Sequence, residues 1–338
     1  MWSLTWGGGD RAVADGMADA ARPVAPDAAL PVAADALRPS AAEAHAAWAA
    51  RVEADGKQVE RVREAADPAD FYAPVADRFR LDPHRTDDPT LEVLRSLARP
   101  GETWLDIGSG GGRFALPLAL LAREVICVEP SPAMIGVLEE GMRDHGIANI
   151  RIVPERWPLS EVNVAADVAL LAHIGYDIAQ IGPFLDAAEA AARRRCVAVM
   201  GEGAMTTVAT LFWEPVHGEP RVALPALPEL VTLLLARGRL PEIRLVDRTP
   251  PTFASMTELL AMARRQLWVR TGSKKDARLT ELVEAHAEER DGQWALEWAP
   301  TRIGIVSWEP HSTGRAAPRA WPGATATTLS RPSLPVLG

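Results

Sequence analysis

Five short apolar runs recur between residues 103 and 201: "TWLDI", "EVICVE", "NIRIV", "ADVALLAH" and "CVAVMG". Each is parted from the next by a helical or turn-rich interval. Runs of strand length that are apolar throughout and alternate with crossovers belong to a parallel sheet covered by helices on both faces. The pattern predicts an α/β fold with a doubly wound, mostly parallel sheet. Its crossover helices fall at Arg113 to Ala122, Ser131 to His145 and Ile181 to Arg194, and the arginines 193 to 195 read as a solvated helix face. Before the sheet, Ser40 with Glu43 makes a capping box that opens one helix. Asp88 and Pro89 open a second, which Pro100-Gly101 ends. After the fifth run, "ELVTLLLARG" reads as helix and "EIRLVD" as strand. Two charged helices follow, near Met256 to Trp268 and Lys275 to Glu289, and "RIGIVSW" is the last strand. The stretch from Arg248 to Pro300 then reads as a helical insertion, a place where specificity is often carried.

Composition sets the boundaries. Residues 1–39 and 311–338 are rich in Pro, Ala, Ser, Thr and Gly, with too little apolar surface to offset the entropy of ordering, and are expected to be a disordered leader and tail. Between them, residues 40–310 form the expected domain, with a helical cap at 40–100, a ligand-binding core at 101–205 and loops, insertion and last strands at 206–310. The net charge of −9 offers no general attraction to a phosphate backbone or an anionic membrane, so neither nucleic acid nor membrane is an expected partner. No apolar run reaches transmembrane length and no signal peptide opens the chain, which makes a cytoplasmic protein the expectation. The two cysteines and seven histidines lack metal-ligand spacing, and no metal site is expected.

The first run leads straight into "LDIGSGGGRF", Leu105 to Phe114. In a parallel sheet the turn after the first strand lines the ligand crevice. Gly108, Gly110 and Gly112, with Ser109 among them, permit positive φ and let a ligand lie against bare backbone. The dinucleotide fingerprint needs a glycine at the sixth place, where this chain has Arg113. Asp106 would repel a pyrophosphate and suits an ammonium group. A ligand carrying both an amino group and a carboxylate satisfies the acid and the amides together, as the amino-acid end of S-adenosylmethionine does.

Asp106-x-Gly108-x-Gly110-x-Gly112 resembles the first signature of the class I S-adenosylmethionine-dependent methyltransferases, and the likeness extends over about Thr90 to Met200. It implies a Rossmann-like methyltransferase fold with S-adenosyl-L-methionine as cofactor. Glu129, closing the second strand, is then the acid that holds the ribose hydroxyls. Pro130 and Met134 fall on the adenine side, and Glu155 and Trp157 follow the third strand where the family contacts the adenine ring. The neighbours Arg156 and Trp157 depart from the family's usual small or acidic residues.

On the acceptor side the fourth strand ends in "LLAHIGYD", which brings His173 and Tyr176 to the crevice mouth as candidate catalytic residues. The signature of enzymes that methylate exocyclic amino groups is absent there. "LFWEPVHGEP" is read as a surface loop presenting Phe212, Trp213, Glu214 and His217. The expected activity is methyl transfer to a small-molecule acceptor, with a non-catalytic donor-binding scaffold, an RNA or protein methyltransferase and a nicotinamide-dependent oxidoreductase as rivals.

Overall fold

The computed structural model describes residues 39–66, 69–160, 164–203, 207–248, 251–296 and 302–310. The expected leader and tail lie outside the described residues, apart from Pro39. Helix α1, Ala41–Val62, opens on the Ser40 capping box, with both of its hydrogen bonds made. A 3-10 turn at Ala73–Phe79 follows, and α2, Pro89–Leu97, is capped by the Asp88 carboxylate. Alternation then begins: β1 Thr103–Ile107, α3 Ala115–Ala119, β2 Glu124–Val128, α4 Pro132–Asp144, β3 Ile150–Val153, β4 Ala166–Ala172, α5 Ile181–Ala191 and β5 Ala192–Gly201. The chain continues through α6 Thr207–His217, α7 Leu227–Ala236, β6 Glu242–Asp247, α8 Met256–Gln266, α9 Lys274–His286, β7 Ala287–Arg290, β8 Gln293–Leu296 and β9 Arg302–Trp308.

Seven strands form one sheet in the order β3-β2-β1-β4-β5-β9-β6. Six run parallel; β9 is antiparallel to β5 and β6. Strand order reverses beside β1, so the crevice opens at the carboxyl ends of β1 and β4. The period of two explains why the runs are apolar throughout. Trp104, Val125, Val168 and Val197 pack on one face against α2, α3 and α4, while Leu105, Ile126, Ala169 and Cys196 pack on the other against α1, α5 and α7. Each fully buried leucine of these layers, such as Leu94 or Leu105, contributes roughly 1.5–3 kcal/mol. A separate core joins α6, α8, α9 and β8 through Phe212, Leu259, Leu279, Val283 and Leu296.

Four local expectations are corrected. Arg193, Arg194 and Arg195 stand on β5, not on a helix, because each guanidinium finds an acid across the sheet end: Asp167, Glu102 and Glu242. The interval "LFWEPVH" is helical, with Phe212 and Trp213 turned into the core, since two large apolar side chains gain more by burial than on a surface loop. Helix α3 is far shorter than the expected Arg113 to Ala122, with no side-chain cap. Helix α9 stops at His286, and the chain turns at Asp291-Gly292, both at positive φ, into the hairpin β7–β8.

Candidate functional site

The turn that lines the crevice starts at the end of β1. Gly108, at φ 71°, turns the chain away from the sheet; a Cβ there would lie 2.6 Å from Ile174 Cδ1, so only glycine fits. Its N–H donates to the Val128 carbonyl at 2.8 Å, tying the turn to β2. Gly112, at φ 84°, is equally committed, with Leu138 Cδ1 2.6 Å from where its Cβ would stand.

Two acids flank this turn. Asp106 is almost fully buried, and its Oδ1 has no hydrogen-bond partner. Burial, with the Glu129 carboxylate adding to it, pushes its pKa up to about 7. A buried carboxylate oxygen without a partner is costly unless a donor or cation arrives. Glu129 is also buried, but each oxygen accepts a backbone hydrogen bond: Oε2 from Gly110 N–H and Oε1 from Ser131 N–H, both at 2.8 Å. Burial still holds its pKa above the ordinary value against those bonds. Each oxygen keeps lone-pair capacity for a ligand hydroxyl.

A cavity of about 240 Å³ is lined by Gly108, Pro130, Arg156, Trp157, Ile174 and Phe184. The Trp157 indole N–H donates to the Phe184 carbonyl at 3.3 Å, which fixes the ring in the wall. Met134 is elsewhere. It is buried with Ala76 and Val137 under the 3-10 turn, at the glycine-loop side of α4. Glu155 stands half-exposed outside the cavity lining, and its neighbour Arg156 takes the lining place.

At the end of β4, His173 adopts φ 56°, a left-handed conformation that a non-glycine residue rarely occupies. Its N–H is held by the Val199 carbonyl at 2.8 Å, its ring lies 6.3 Å from that of Phe114, and its buried Nδ1 has no partner. Burial first, then the charges of Arg113 and Arg248, bring its pKa down to about 4, so the ring is neutral at pH 7. Tyr176 is buried, and its hydroxyl accepts the Gly201 N–H at 2.8 Å, closing β4 against β5. Burial pushes that phenol up to about 12.

The residues missed from sequence lie in the segment before α2. The Asp70 carboxylate accepts from Ser131 Oγ at 2.9 Å and Ala133 N–H at 3.1 Å, so the segment is pinned across the start of α4, next to Glu129. Phe79 reaches the glycine loop, where a Cβ on Gly111 would come 3.0 Å from Phe79 Cβ. No periodic signal marks Asp70, whose partners at the start of α4 lie 61 and 63 residues on, or Tyr72, whose contact with Arg265 lies further still along the chain. Among the described residues no group of three or more His, Cys, Asp or Glu side chains gathers as a metal site would, and no helix is long and apolar enough to cross a membrane.

A doubly wound sheet with one reversed strand next to its edge, and an Asp-x-Gly-x-Gly-x-Gly turn at the switch point, match the architecture implied by the sequence resemblance. The chain has a doubly wound, Rossmann-like α/β fold, the one that the resemblance to class I S-adenosylmethionine-dependent methyltransferases implies. No protein-family model matches it. A 60-residue stretch, 18% of this chain, is 44% identical to a 23S rRNA (uracil(1939)-C(5))-methyltransferase RlmD of Shewanella, of which it covers 13%. A 71-residue stretch, 20% of this chain, is 32% identical to a probable ribosomal RNA small subunit methyltransferase A of Methanosphaera stadtmanae, of which it covers 26%. The chain thus spans about a quarter or less of these curated relatives. Among solved structures, the YcgJ protein of Bacillus subtilis is 15% identical, with 66% of this chain and 99% of that one covered at a TM-score of 0.46. Magnesium protoporphyrin IX methyltransferase of Synechocystis is 12% identical, with 75% and 94% covered at 0.42.

The relatives' names correct one expectation for this chain. Net charge argued against nucleic acid as a partner, yet these relatives are named as rRNA methyltransferases. A sum over the whole surface does not describe a local binding face, which is why the charge argument failed.

Proposed function

We propose that the chain binds S-adenosylmethionine over the carboxyl ends of β1 and β2 and transfers its methyl group to a small-molecule acceptor. One observation carries the donor half: the buried Asp106 oxygen without a partner, beneath a turn whose glycines leave no room for side chains. That acid suits the donor's ammonium group. Glu129 has the lone pairs for the ribose hydroxyls, and the Pro130, Trp157 and Phe184 cavity has the apolar walls for a purine. These residues fit the cofactor.

When bound, S-adenosylmethionine supplies an electrophilic methyl group. The chain's own work is positional: Gly108 to Gly112 give backbone approach, Asp106 and Glu129 fix two ends of the donor, and Trp157 excludes water from the ring. His173 is neutral at pH 7, so its ring can hydrogen-bond an acceptor and take a proton only from a group already acidified. An amine or carbon acceptor that sheds its proton after transfer makes no demand for a strong base. A second reading, transfer to ribosomal RNA, is favoured by the names of the curated relatives.

Titration with S-adenosylhomocysteine, paired with tritiated S-adenosylmethionine in fractionated cell extract, tests both halves. The proposal expects saturable binding that Glu129→Ala weakens by about 1–3 kcal/mol, and label in a small-molecule fraction. Label in RNA instead supports the second reading. Absence of saturable binding refutes the donor half.

A further inference from the structure

The two edges of the seven-stranded sheet are unlike. Edge strand β3 has four residues; its Ile150 and Val153 are buried, and the exposed Arg151 pairs with Glu124 of β2 at 3.5 Å. A short edge that carries a charge resists further pairing. Edge strand β6 has six residues and pairs with β9 in unbroken register on one side, and among the described residues no strand stands on its other side. It contains no lysine, proline or bulge, and its apolar residues face water: Ile243 is 41% exposed, Leu245 47% and Leu240, just before the strand, 86%.

At the start of β9 the Glu202 N–H donates to the Arg302 carbonyl at 3.0 Å, so the even-numbered residues of β9 turn their backbone groups toward β5 and the odd-numbered ones toward β6. Glu242, Arg244 and Val246 oppose Ser307, Ile305 and Ile303. The N–H and C=O groups of Ile243 and Leu245 therefore point outward from the sheet. The Ile243 and Leu245 side chains share the α7 face with Val306, but α7 lies over β9, where Leu227 fills the space that a side chain at Gly304 would take. Arg244 stands on the opposite face, bonded to Glu242 at 2.9 Å and to Ser96 Oγ of α2 at 3.1 Å.

We propose that β6 is the edge through which two copies of this chain pair, antiparallel about a two-fold axis, so that their sheets become one. Outward backbone groups must meet outward backbone groups across such a joint, so the axis passes through a residue and not between two. Charge then selects the residue. Centred on Glu242 or on Arg244, the pairing sets like charges opposite each other; centred on Leu245, it sets Ile243 against Asp247 and Arg244 against Val246. Centred on Ile243, it sets Glu242 of each copy against Arg244 of the other, so the favourable contact is made twice. On the α7 face Ile243 then packs on Ile243, and the Leu245 N–H meets the Pro241 carbonyl.

Sedimentation equilibrium of the full chain over a wide concentration range tests this. Wild type is expected to move from one chain mass to two as concentration rises. Ile243→Lys brings two charges together at the axis, and Glu242→Arg and Arg244→Glu each set like charges opposite each other twice. Each of the three is expected to weaken the dimer by about tenfold or more, because one substitution is felt at two symmetric contacts, while far-ultraviolet circular dichroism stays as in wild type. Mixed in equal amounts, the Glu242→Arg and Arg244→Glu chains are complementary at both contacts and are expected to regain wild-type association, which a misfolded chain could not do. A wild type of one chain mass at every concentration, a dimer that survives Ile243→Lys, or a mixture no heavier than its two components each overturns the proposal.

Discussion

The donor side of the crevice takes Asp106, Gly108, Gly110, Glu129 and Pro130 from one β-turn-α-β stretch, and their geometry is set by buried backbone hydrogen bonds at 2.8 Å. A groove of about 550 Å³ is lined from residues 65–66, 74–78 and 258–271, and is held by solvent-touched arginine contacts such as Arg78 with Glu258. The first kind of contact is costly to break, because a buried polar group is left without a partner; the second is worth little. A rigid glycine turn and a more adjustable groove are the physical consequence. It also accounts for a turn readable from one sequence and a groove that is not.

The sharpest way to break that contrast is with glycines. Gly112→Ala places a methyl group against Leu138 and Leu116 at positive φ, and is expected to cost about 2–4 kcal/mol of stability, read by chemical denaturation. Gly272→Ala, at φ 80° beside the groove, meets nothing within 4 Å and should cost only the backbone strain, about 1 kcal/mol. Equal costs would erase the distinction between the turn and the groove.

Next in size is the pH behaviour of Asp106. With its folded pKa raised from 3.8 to about 7, the folded chain keeps a proton in that window that the unfolded chain has released. Stability is therefore lost as pH rises through the window. Asp106→Asn removes the loss, so the ligand-free variant should be more stable than wild type at pH 8, with the gap closing by pH 4. His173 has the opposite sign: its folded pKa falls from 6.5 to about 4, so stability is lost as pH drops through that range, and His173→Asn should flatten the acid side of the profile. His217, also lowered to about 4, has the same sign and is the control outside the turn. The smallest effect belongs to Arg78→Ala, whose exposed pair with Glu258 should change stability by less than about 1 kcal/mol.

How much could be read in advance follows the same division. Strands β1 to β5 and the turn at Gly108 were legible because alternation, glycine and strand length are local signals. Gly110 and Glu129, 19 residues apart, are joined by a hydrogen bond, because a parallel neighbour brings the end of β2 beside the turn. Arg193 to Arg195 were misplaced because a charge run looks the same on a helix face as at a strand end with acids across from it. The hairpin β7–β8 was missed although Asp291-Gly292 carries the usual two-residue turn signal; a continuous charged stretch hid it. Nothing local could have placed Asp70 on Ser131 or Arg265 on Phe71, since those partners are 61 and 194 residues apart and meet only once the chain has folded.

The central claim is that Asp106 faces the donor's ammonium group. Calorimetric titration of S-adenosylhomocysteine at pH 7 in buffers of different ionisation enthalpy measures protons released on binding. If a cation docks beside Asp106, wild type should release about half a proton per ligand as the carboxyl ionises, and Asp106→Asn should bind about tenfold or more weakly with that release gone. Equal affinity and equal proton release in the two proteins would contradict the account.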